Sequence, residues 1–86
     1  MNEREIRTVV LDVLGTVAPE AREVEIRPEV NFREQLDFDS LDFLNFAIAL
    51  TKRLGVEIPE SDYPKLSSLG GCVTYLAPRL AAKAEA

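Results

Sequence analysis

The chain has no histidine, and cysteine occurs once, at Cys72. The first absence removes the usual general base and any Ser-His-Asp arrangement. The second leaves no Cys-type zinc site and no disulfide within the chain, which fits a reducing compartment. Cys72 lies among apolar residues and is expected as a small core residue rather than a reactive thiol. No apolar run approaches membrane-span length, and the first residues lack a signal-peptide core, so a cytoplasmic protein without a membrane span is expected. Basic residues are in the minority, Lys+Arg 10 against Asp+Glu 15, for a net charge of −5. Nucleic acid is therefore a poor partner, and proteins with basic surfaces are better ones. Gly70-Gly71 lacks the following Lys-Ser/Thr of a phosphate loop. Glu57, Glu60 and Asp62 lack EF-hand spacing and read as a solvated edge, so no metal is expected. No internal repeat is present.

What remains is a chain of 86 residues, 47% hydrophobic, sized for one small domain with a modest core. Residues 3–18 read as a helix, with Asn2 as cap and Ile6, Val9, Val10, Val13, Leu14 and Val17 as its stripe. Pro19 stops it. Residues 19–39 form a long charged connection. Val24 and Ile26 alternate as in a strand, but no second strand is available, so an extended loop is expected. Val30, Phe32 and Leu36 are expected to pack it down, with Asn31 capping one helical turn from Phe32 to Gln35.

The second long helix covers residues 40–54 and ends at Gly55. Phe43, Phe46, Ala47, Leu50 and Leu54 cluster on one side, whereas Leu41, Leu44 and Ile48 fall nearly opposite. Such a helix either sits between others or shows its second side to a partner. A short turn follows at 60–66, limited by Pro64. Ser67 or Ser68 starts a last helix, roughly 68–83, in which Pro78 is expected to cause a kink or break. The segment 81–86 has nothing to anchor it and is expected to be a flexible tail. The fold class is therefore all-α: a small up-down four-helix bundle, three main helices and a short one. A long loop joins the first and second helices. One domain spans 1–86, with its folded core at 2–80.

The centre of interest is Leu36-Asp37-Phe38-Asp39-Ser40-Leu41-Asp42-Phe43-Leu44. Asp39 and Ser40 are both N-cap types, and Asp39 and Asp42 lie where a helix dipole favours negative charge. A hydroxyl there is exposed, fixed, and close to a helix end that suits a phosphate. By itself this is what any capping serine does.

Asp39-Ser40-Leu41-Asp42 resembles the D-S-L-D motif of acyl carrier proteins. Phe32 to Leu36 resembles the family's F-x-x-D-L segment, and Leu54 to Glu60 its F-x-x-x-I-P-D segment. Leu66, Leu69, Val73 and Leu76 fall at the family's apolar positions, and the spacing holds from Phe32 to Leu76 without insertion. The resemblance implies that Ser40 carries a covalent 4′-phosphopantetheine arm from coenzyme A, flanked by Asp39 and Leu41. It implies no catalytic residue. It also implies docking through Asp37, Asp42, Leu44 and Ile48 to a phosphopantetheinyl transferase and to acyl-transferring enzymes with basic surfaces. A monomer is expected.

Two departures stand out. Asp37 and Phe38 replace the small residues usual before the motif; Phe38 packs over the core or sits beside the arm. Asn45, Thr51, Lys52 and Arg53 stand where carriers of bacterial fatty acid synthesis hold glutamates, which confines the acidic patch to Glu34, Asp37, Asp39 and Asp42. A specialised fatty-acyl, lipid or polyketide-type carrier is expected. The alternatives are an amino-acyl or peptidyl carrier, whose motif is more often G-G-H-S or G-G-D-S, and a helical interaction module whose serine is never modified.

Overall fold

A computed structural model describes residues 1–85. Its elements are α1 (Glu3–Val17), a 3₁₀ turn (Pro19–Arg22), a single-turn α2 (Phe32–Gln35), α3 (Ser40–Leu54), a 3₁₀ helix (Glu60–Leu66) and α4 (Leu69–Glu85). The helical bundle expected from the sequence is the fold, with the 3₁₀ helix as its short member. Helix α1 starts on a reciprocal cap. Asn2 Oδ1 accepts from the Glu5 N–H at 2.8 Å, and the Glu5 carboxylate accepts from the Asn2 N–H at 3.2 Å. Ile6, Val10, Val13 and Leu14 then face inward, and α1 packs against both α3 and α4. The centre of the core is apolar: Val10, Leu14, Phe46, Leu50, Cys72 and Leu76 have no exposed surface, and no polar side chain is buried among the described residues.

The long connection forms no strand at Val24 and Ile26. Its one ladder contact is an isolated bridge, Asn31 with Ser68. The loop is instead closed by Gln35. That carboxamide behaves as an extra peptide group, accepting from the Arg27 N–H at 2.9 Å and donating to the carbonyls of Arg27 and Val30 at 3.0 and 2.8 Å. Asn31 does not cap α2 through its side chain; the Phe32 N–H turns to the Ser67 carbonyl, 2.8 Å away. The loop then meets α4, where the Gly70 N–H donates to the Pro28 carbonyl at 2.9 Å. Gly70-Gly71 is small for a reason. A Cβ on Gly70 would lie 3.0 Å from the Pro28 oxygen, and one on Gly71 only 2.7 Å from the Lys65 oxygen. Two backbones approach this helix end closely.

Ser68 caps α4 by accepting from the Gly71 N–H at 3.0 Å. The 3₁₀ helix is fastened to α4 by Asp62, which accepts from Tyr75 Oη at 2.6 Å and lies beside Arg79 and Lys65. These contacts, Tyr75 first, hold the Asp62 carboxyl below the usual carboxylate range. Helix α4 runs through Pro78 without the expected break. Thr74, whose carbonyl loses its partner to the proline, is exposed like Pro78 itself, so water can serve it. Residues 81–85 continue the helix. The expectation that nothing there can anchor is corrected at Lys83, whose ammonium donates to the Leu54 carbonyl at 2.9 Å. A cation is favoured at that carbonyl end of α3. Ala86 lies outside the described residues.

Candidate functional site

The turn into α3 is set by alternation. Leu36 and Phe38 point into the core, 8% and 5% exposed, while Asp37, Asp39 and Ser40 are exposed. Phe38 meets Phe32, Phe43 and Phe46 edge-on, with ring centroids 6.0, 6.4 and 6.2 Å away. Phe32 and Phe46 in turn cross at 5.3 Å. Four aromatic rings therefore form the floor beneath the turn. Of the two placements open to Phe38, it takes the core.

On that floor the helix start is closed by two carboxylates. Asp39, in extended conformation, is the N-cap. Its Oδ1 accepts from the Asp42 N–H at 2.8 Å, and Asp42 Oδ2 accepts from the Asp39 N–H at 3.2 Å. This is the capping box with aspartate in both places. Ser40 is thereby the first helical residue, not the cap, and its hydroxyl makes no hydrogen bond among the described residues. The box takes up the Asp42 N–H, while those of Ser40 and Leu41, at the first two positions of the helix, have no intrahelical acceptor. The alcohol is thus exposed, held on a rigid backbone, and beside N–H groups and a dipole end that favour a phosphate. A cavity of about 310 Å³ opens one turn along, lined by Asn31, Phe32, Arg33, Phe43, Pro64 and Ser67.

The outer side of α3 continues the site. Leu41 is 63% exposed, and Leu44 and Ile48 are 39% each. They are not core residues, unlike Phe46, Ala47, Leu50 and Leu54 on the opposite side; Phe43 is half-buried at the edge. All seven residues singled out in the sequence, Asp37, Asp39, Ser40, Leu41, Asp42, Leu44 and Ile48, thus lie on one helix head and its outer face. Phe38 acts as a plug, one of its two expected placements; the support that was missed is Gln35, as a clasp. The L-D-F-D alternation signals the plug, and nothing local signals the clasp.

Residues 4–76 match the family model described as the phosphopantetheine attachment site. The chain belongs to this family. Curated relatives agree. An acyl carrier protein of Lactobacillus johnsonii is 34% identical over 76 residues, covering 88% of this chain and 94% of the relative. One of Campylobacter hominis is 39% identical over 72 residues, covering 84% and 85%. One of Acidothermus cellulolyticus is 30% identical over 77 residues, covering 90% of each. The molecule is a phosphopantetheine-bearing carrier and not a catalyst. Its serine-headed helix fits that group: the ester needs an accessible alcohol and room for a phosphate, and both are present. Among the described residues no helix is long and apolar enough to cross a membrane.

Proposed function

We propose that Ser40 is the attachment residue and that the chain is a discrete acyl carrier serving a specialised fatty-acyl, lipid or polyketide-type pathway. The observation that carries this is the Ser40 alcohol: exposed, first in α3, and without an internal hydrogen-bond partner among the described residues. On a phosphopantetheinyl transferase the Ser40 oxygen would bond to the pantetheine-side phosphorus of coenzyme A, and the nucleotide half would leave. The proton passes to the transferase, since this chain offers no histidine to take it. The arm supplies a terminal thiol that holds acyl groups as thioesters. This chain's own part is to present the alcohol and then to keep the tethered group at high local concentration near its partners. Asp39 holds the backbone of the turn. Asp37 and Asp42 give partners a negative rim, and Leu41, Leu44 and Ile48 give them apolar contact. The reading includes a monomer in the cytoplasm, in keeping with an unpaired thiol at Cys72.

Incubation with coenzyme A and a broad-range transferase tests the proposal. One phosphopantetheine of added mass is expected, and none on Ser40→Ala. A folded wild-type protein that gains nothing from several transferases would leave a helical interaction module as the better account.

A further inference from the structure

The outer face of α3 does not end at Ile48. Positions 41, 44, 48 and 52 follow helical spacing, so Lys52 closes the same stripe, ~18 Å along the axis from Ser40 at 1.5 Å per residue. Lys52 is exposed. The other cations near this end of the helix are used within the fold: Arg53 pairs with Asp12 at 2.7 Å, and Lys83 holds the Leu54 carbonyl. Lys52 makes no ion pair among the described residues, and Ile48 and Ala49, its neighbours one turn back on α3, bring no acid. Its charge is unmatched among the described residues. At the other end of the stripe, Asp37, Asp39 and Asp42 form a negative head with no ion pair among the described residues. The face is therefore graded: carboxylates, then three exposed aliphatic side chains, then an ammonium.

Resting on the carrier reading, we propose that the acyl-transferring partner docks on this face with a bipolar surface of its own. Cationic side chains meet Asp37 and Asp42, an apolar patch meets Leu41, Leu44 and Ile48, and a carboxylate meets Lys52. Lys52 is then a specificity-determining residue. An enzyme whose docking surface is cationic along its whole length is attracted at the head of α3 and repelled at its foot. Rim charges of this kind act mainly on encounter rate and on the choice between partners.

The test uses full-length protein loaded at Ser40 and checked by mass. The probe is an acyl-transfer enzyme of fatty acid synthesis whose carrier-docking surface is cationic throughout. Lys52→Glu is expected to raise kcat/KM with this enzyme roughly three- to tenfold at low salt, and Lys52→Gln by less. The gain should shrink as ionic strength rises. A reciprocal change, one far-end cation of the enzyme to glutamate, should restore the wild-type carrier and penalise Lys52→Glu. Loaded Lys52→Glu that is no better than wild type overturns this inference and leaves the carrier reading intact, with Lys52 serving only the helix end. Absence of the mass gain at Ser40 overturns both.

Discussion

The two ends of α3 are closed by different means. The head is finished within a few residues, by Asp39 and Asp42 exchanging backbone hydrogen bonds across the first turn. The foot is finished from far away. Gly55 turns the chain in the left-handed region at φ 64°, and Lys83, 29 residues beyond Leu54, supplies the cation for its carbonyl. The serine end therefore carries its own geometry, whereas the opposite end borrows from α4. A partner can thus handle the head while the bundle behind it stays closed. That is a useful property where a covalent group must be added to one alcohol.

The largest expected effect comes from removing the floor of the head. Phe38→Ala should cost about 3–5 kcal/mol, as other buried aromatic truncations do, and should slow arm transfer beyond its effect on the folded fraction. Urea melts and a loading assay on the folded protein check both. If loading follows the folded fraction alone, the head does not depend on its aromatic support. Gly55→Ala attacks the foot. An L-residue at that φ costs about 1–2 kcal/mol, and the new Cβ would come within 2.5 Å of Lys83 Nζ as it now stands. Loading at Ser40 should be unchanged, which is the sharpest contrast between the ends. Asp39→Ala removes one half of the box and should cost about 1 kcal/mol, with Asp39→Ser largely restoring it. Here the loading rate should fall more than stability does.

The smallest effect is a pH dependence at the foot. The Arg53 hydrogen bond, helped by the charges of Arg53 and Arg22, holds the Asp12 carboxyl below its ordinary range. A carboxyl depressed on folding stabilises the native state above its unfolded pKa, and that contribution is lost as pH falls through the folded value. Melting temperature followed from neutral pH into the acid range should therefore drop slightly more for wild type than for Asp12→Asn. The pair is exposed, so salt should shrink the difference.

The helix boundaries were legible because periodicity and caps are local: Asn2, Asp39, Gly55 and Ser68 each sit next to what they close. The site was legible for the same reason, since a four-residue motif contains both the alcohol and its cap. Three features were not. Gln35 acts across the loop on Arg27, a partnership no spacing rule encodes. Gly70-Gly71 reads as weak helix, yet it leaves room for Pro28 and Lys65, which approach it from other elements. Pro78 reads as a break, but exposure at Thr74 makes its missing hydrogen bond cheap. In each case the outcome depends on how the folded chain is packed or exposed, not on local pattern.

Cys72 is sealed in the core, and burial pushes its thiol up to about 12. The polypeptide thus offers sulfhydryl chemistry almost nothing while it is folded. Once the arm is attached, its terminal sulfur becomes the one nucleophile of that kind a reagent can reach. A maleimide dye on native protein would then count free arms directly, and acylation would be seen as silence.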